Sequence, residues 1–191
     1  MKKILTFTLA TLPFAAMAHV GGHPHTHGLA DSFAQGFVHP FTGLDHLAAM
    51  LAVGAWSALA VRPAWRAPAA FVALLVLGAL AGFHGLRVPG VEPMIATSVL
   101  VLGLLVAVHR RMPWGAAAAV AGVFAFFHGV AHGDELAGDF GALAGMAAGS
   151  AVLHAAGMLL GHAVMQRHQW MARTGGAATA LLGAFLLARI A

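Results

Sequence analysis

The sequence predicts an all-α integral membrane protein, a six-transmembrane-helix bundle behind an N-terminal signal peptide. Three observations carry that expectation. Of 191 residues, 60% are hydrophobic and only 8% charged, too little polar surface to cover a soluble globule. Apolar runs close to the length that a spanning helix needs recur at about 34–60, 68–86, 91–108, 113–132, 140–165 and 174–190. The chain also opens with two lysines, a short apolar stretch and a small-x-small triplet, the pattern of a secretory signal.

Taken in order, Lys2 and Lys3 precede an apolar run from Ile4 to Ala16, and Ala16-Met17-Ala18 matches a signal-peptidase site. That run is too short to cross a hydrocarbon core of about 30 Å. Residues 1–18 are therefore expected to be cleaved, leaving His19 first. The stretch 19–31 then reads as an exposed arm, because "HVGGHPHTHG" (19–28) is rich in glycine and histidine and has no apolar periodicity. Its four histidines, His19, His23, His25 and His27, together with a freed α-amine, suit loose capture of a divalent metal. The plain alternative is a polar spacer.

Residues 32–191 are expected to form the membrane domain. Arg62 and Arg66, Arg110 and Arg111, and Arg167 and Arg173 fall after the first, third and fifth apolar segments, leaving only Arg87 and Arg189 on the other side. The positive-inside rule puts those three loops in the cytoplasm. Both termini then face outward, as a cleaved signal requires, with Asp31, Glu92, Asp134, Glu135 and Asp139 on the outer face. Glycines four apart in "GALAG" (78–82), "GMAAG" (145–149) and "GMLLG" (157–161) predict closely approaching helices. Phe-His-Gly occurs at 83–85 and again at 127–129, a weak sign of internal duplication.

The first segment opens with "HPFTGLDHLAAMLAVG" (39–54), placing His39, Asp45 and His46 where an apolar helix is expected. Pro40 is best placed as that helix's first residue, which makes His39 a group at the helix start. In "FFHGVAHGDEL" (126–136) of the fourth segment, His128, His132 and Glu135 at i, i+4 and i+7 share one helical face. At about 1.5 Å of rise per residue, His46 and His128 lie at the same depth, with His132 and His84 about a turn higher and His39 and Glu135 higher still. One outer-half pocket is expected if the helices adjoin. Asp45 and His46, adjacent and about 100° apart, suit an arrangement in which one binds and the other orients. His154, and His162 eight residues on, mark a candidate inward route, although a lone intramembrane histidine can equally be a packing hydrogen-bond donor and His162 can snorkel.

Ionisable side chains at mid-bilayer cost about 2.5–3.5 kcal/mol or more each, so a cluster of them argues for a cation or a pathway. With no cysteine, neither a disulfide nor a thiolate site exists. Imidazole with carboxylate suits nickel, cobalt, zinc or copper(II). The basic residues are scattered, so nucleic acid is not an expected partner. No phosphate-cradling glycine loop with Lys-Ser/Thr occurs, and ATP hydrolysis within the chain is not indicated. A membrane metalloenzyme would use similar ligands, yet no H-E-x-x-H occurs. A b-type haem anchor would also pair histidines, but Asp45 and Glu135 beside them favour a hydrated cation. A metal sensor or storage protein would share the site and differ only in flux. The chain is thus not expected to be an enzyme.

"HPFTGLDHLAAMLAVG" and "FHGVAHGDE" resemble the two signatures of the HupE/UreJ family of nickel transporters, and the resemblance spans the whole chain. It implies uptake of Ni²⁺, or in some members Co²⁺, across the inner membrane of a Gram-negative cell, in a hydrogenase or urease context. Carried over by motif, the metal residues would be His39, Asp45, His46, His128, His132 and Glu135. The ion would be cargo rather than a permanent cofactor. Its partners would be the lipid bilayer and, on the inner side, cytosolic nickel chaperones. The first signature also resembles the H-x4-D-H element of larger nickel/cobalt permeases, here with spacing H-x5-D-H.

Overall fold

The structure, a computed structural model, describes residues 28–136 and 138–190. The expected signal peptide and the four arm histidines lie outside the described residues. Among those described, the chain forms seven α-helices and no strand: α1 (Leu29–Thr42), α2 (Leu44–Ala60), α3 (Arg66–Phe83), α4 (Val91–Val108), α5 (Trp114–Leu136), α6 (Phe140–Leu160), which runs into a π-helical turn at Gly161–Met165, and α7 (Gln169–Ile190). Five of them, α3 to α7, are long and apolar enough to cross a membrane. α1 and α2 reach that standard only as a pair, and they are bent by 82° at Gly43.

That break corrects the expectation of one continuous first helix. Phe41 and Leu44 on either side let the segment read as one apolar stretch, but the Gly43 backbone is extended (φ −89°, ψ 124°), so the i→i−4 ladder stops and restarts there. Pro40 is likewise not a first helical residue. α1 begins at Leu29, inside the stretch assigned to the arm, and Pro40 sits in its last turn with His39. Pro40 has no N–H to give the Gly36 carbonyl its i→i−4 bond, and α1 ends two residues later. Thr42 Oγ1 donates to the His39 carbonyl at 2.8 Å in that frayed turn.

Glycine sets how the helices meet, as the spacing predicted. α3 lies on α5 through Gly78 and Gly82 on one side and Gly129 and Gly133 on the other. α1 meets α6 at Gly36, Gly145 and Gly149, α2 meets α6 at Gly54, Gly157 and Gly161, and α4 meets α7 at Gly103, Gly176 and Gly183. At each crossing a Cβ would run into the partner's backbone, so only hydrogen allows the contact. α2 is the central element, with Ala49, Met50, Val53, Trp56 and Ala58 wholly buried.

The three arginine-bearing loops meet at one end of the bundle. Met112 N–H donates to the Ala60 carbonyl at 3.0 Å, the Gln166 amide donates to the Ala58 carbonyl at 3.0 Å, and the Arg66 guanidinium lies 4.6 Å from the centre of the Trp114 ring. The opposite end carries the Gly43 break, the C-terminus of α5 and the N-terminus of α6, where the Asp139 carboxylate caps by accepting from Ala142 N–H at 3.0 Å.

Candidate metal site

Four histidines from three helices converge beneath the Gly43 break. His39 comes from the last turn of α1, His46 from the first turn of α2, and His128 and His132 from the C-terminal half of α5. Ring centres lie 4.5 Å apart for His39 and His132, 4.7 Å for His46 and His132, 5.0 Å for His46 and His128, and 6.0 Å for His39 and His46. His46, His128 and His132 are buried, His39 is half-buried and Glu135 is exposed. The four rings thus step from an exposed carboxylate to a sealed imidazole.

The break in the first segment is what builds this arrangement. It ends α1 with His39 pointing at the site and restarts α2 so that Asp45 and His46 occupy its first turn. Asp45 Oδ1 accepts from both the backbone N–H and Nδ1 of His46, each at 2.8 Å. It therefore orients the ring, one of the two roles that adjacency allowed. A side chain at Gly43 would crowd this pair, since its Cβ would lie 2.8 Å from Asp45 Oδ1 and 3.1 Å from His46 Nδ1.

Each of the three buried rings spends Nδ1 on an acceptor. His46 faces Asp45, His132 faces Glu135 Oε2 at 2.8 Å, and His128 faces the Phe124 carbonyl at 2.9 Å. Carboxylate and carbonyl oxygens accept, so Nδ1 carries the hydrogen and the lone pair is left on Nε2. Those lone pairs turn inward. His46 Nε2 and His132 Nε2 stand 2.6 Å apart, and His128 Nε2 is buried with no hydrogen-bond partner among the described residues. Two lone pairs at that distance repel unless a cation lies with them, either a shared proton or a metal. Two imidazole nitrogens bound to one ion at about 2.0–2.1 Å and near a right angle would stand only slightly farther apart, about 3 Å. The donor set fits a divalent transition metal.

At the mouth, His39, His132 and Glu135 offer ligand atoms that all lie within 4.8 Å of one another. His132 thus belongs both to this outer triad and to the buried group. Glu135 lies beyond the spanning stretch Trp114–Gly133, and its hydrogen bond with His132 holds the carboxyl below its ordinary range, so it stays ionised and attracts a cation.

The structure does not bring every candidate to the cluster. α3 ends at Phe83, which leaves His84 exposed as its C-cap, so its Phe-His-Gly triplet and that of α5 have different surroundings. His154 of α6 is buried below the cluster, its Nδ1 donating to the Met50 carbonyl at 2.8 Å. His162 is exposed in the π-helical turn, its Nδ1 accepting from the Gln166 amide at 2.9 Å. Two participants had no signal in the sequence. Gly43 was one glycine among 24, and Phe71 reads as ordinary core although its ring lies 5.7 Å from that of His128 and 4.9 Å from that of His154.

A family model described as HupE / UreJ protein matches residues 7–186. The chain is also 43% identical over 190 residues to Protein HupE of Rhizobium leguminosarum bv. viciae, an alignment covering 96% of each chain. No solved structure matches.

Proposed function

Because this chain belongs to the HupE/UreJ family, we propose that it carries a divalent transition-metal ion, Ni²⁺ and secondarily Co²⁺, across a bacterial inner membrane. The supporting observation is the inward-facing set of Nε2 atoms on His46, His128 and His132, each ring held by an oxygen acceptor at Nδ1. On this reading the α1–α2 pair counts as one broken span, giving six, and the arginine loops face the cytoplasm. Irregular backbone at Gly43 is tolerable in a bilayer because it lines the site.

Hydrated metal arrives at Glu135 and His39, exchanges part of its water for His132, and passes to His46 and His128. Asp45 orients His46 from behind. The histidine arm gathers metal outside, no ATP is hydrolysed in this chain, and the metal gradient, membrane potential or cytosolic chaperones draw the ion inward.

The test is radiolabelled Ni²⁺ uptake into proteoliposomes of the full chain, with Co²⁺ and Zn²⁺ as competitors and with or without an imposed pH gradient. Wild-type protein is expected to show saturable uptake, and His46→Ala and His128→Ala are each expected to abolish most of it. The double variant should lose little more, because residues of one site are not additive. Tight binding without uptake would instead identify a sensor or storage protein. Near-normal flux and affinity in folded His46→Ala would overturn the site.

A further inference from the structure

Below the cluster, toward the arginine loops, one more imidazole is poised in the same way. His154 is 1% exposed, its Nδ1–H is donated to the Met50 carbonyl, and its Nε2 is buried with no hydrogen-bond partner among the described residues. A packing histidine gains nothing from burying an unmatched lone pair, which loses its hydration with no bond in return. Met50 lies one turn beyond His46 on α2, so His154 is tied to the level immediately beneath the metal cluster. Between the levels stands Phe71, wholly buried, its ring in contact distance of His128 above and of His154 below. Met158, one turn further along α6, is half-buried.

We propose that His154 Nε2 is a second, weaker ligand station for the transported metal, which receives the ion from His128 past the edge of the Phe71 ring. The proposal rests on the transport reading above. One imidazole holds a divalent ion more weakly than three imidazoles do, and conduction requires sites that an ion can leave. The metal keeps its oxidation state throughout; one nitrogen ligand is exchanged for another, and no proton need move because both Nε2 atoms are already unprotonated. His162 is no part of this station, since it is exposed and its Nδ1 lone pair is occupied by Gln166.

The experiment compares wild type with His154→Asn, whose amide nitrogen can replace Nδ1 as donor to the Met50 carbonyl while the Nε2 lone pair is removed. Ni²⁺ is the probe, read as equilibrium binding to the purified full chain and as maximal uptake in proteoliposomes. Maximal uptake is expected to fall by about tenfold or more while Ni²⁺ affinity stays within about twofold of wild type. If His154 only packs, His154→Asn will transport like wild type, and that result overturns the proposal. Folded protein that loses affinity together with flux places His154 in the upper cluster and overturns it too. Should the Asn variant fail to insert, His154→Phe, which keeps a ring but has no lone pair, takes its place under the same criteria. Absence of uptake by wild type would sink the transport reading itself, and with it this station, so the two failures are told apart by the wild-type trace.

Discussion

At the scale of the residue, the site is organised by which nitrogen each imidazole keeps free. Asp45, Glu135 and the Phe124 carbonyl occupy Nδ1 of His46, His132 and His128, so three lone pairs converge instead of pointing at random. Partners of this kind fix the tautomer and raise the basicity of the ligand, and losing one costs about 10–100-fold in metal affinity. Asp45→Ala is therefore expected to weaken Ni²⁺ binding by about that factor, less than His46→Ala, in a calorimetric titration. Equal losses would make Asp45 a direct ligand. Protonation gives a second check at this scale. An imidazole binds metal only when neutral, so protons compete with Ni²⁺ and affinity should fall as the medium is acidified. An affinity that does not fall at any acid pH at which the protein stays folded would exclude histidine ligation.

At the scale of the element, apolar periodicity reported what it physically encodes. α4 spans 91–108 as expected, and the GxxxG-like spacings are the places where helices touch. Backbone dihedrals leave no such trace. The break at Gly43 was passed over because Phe41 before it and Leu44 after it kept the segment reading as one helix, although Pro40 and Gly43 are residues at which helices break, and His84 was misleading because its motif could not reveal that α3 stops one residue earlier. The convergence of His39, His46, His128 and His132 was legible as a coincidence of depth, but the orienting role of Asp45 needed coordinates to choose it over ligation. The packing also predicts a separation of effects. A Cβ at Gly78 would strike the Phe126 backbone of α5, and one at Gly103 would strike Gly176 and Ala180 of α7. Gly78→Val and Gly103→Val should each cost about 1–3 kcal/mol by overpacking, read as a lowered melting temperature. Only Gly78→Val should also weaken Ni²⁺ binding, since α5 carries His128 and His132. Equal losses of affinity would mean that the α3–α5 crossing does not hold the site.

At the scale of the whole molecule, the polar groups are segregated by end. The loops after α2, α4 and the π-helical turn carry Arg62, Arg110, Arg111 and Arg167, and they are joined to one another by the Met112–Ala60 and Gln166–Ala58 hydrogen bonds and the Arg66–Trp114 stack. The cluster opens at the other end, through exposed Glu135. Alternation of the loops could have failed in three dimensions, for instance if one apolar segment had doubled back, but the second and third of these loops are each tied to the end of α2 that carries the first. What remains is the direction, which the proposed function takes from charge: arginine in short loops is retained on the cytoplasmic side, and on that reading the mouth of the site would face outward. A single cysteine in a chain that otherwise has none reads this directly. Ala64→Cys, in the loop between α2 and α3, is expected to react with a membrane-impermeant maleimide only after the cytoplasmic face is opened. Leu86→Cys, between α3 and α4 and exposed, is expected to react from outside in intact spheroplasts. Labelling of both from one side would require α3 not to span and would dissolve the six-span reading. Labelling with the sides exchanged would keep the bundle but point Glu135 into the cytoplasm, and the same histidines would then serve export.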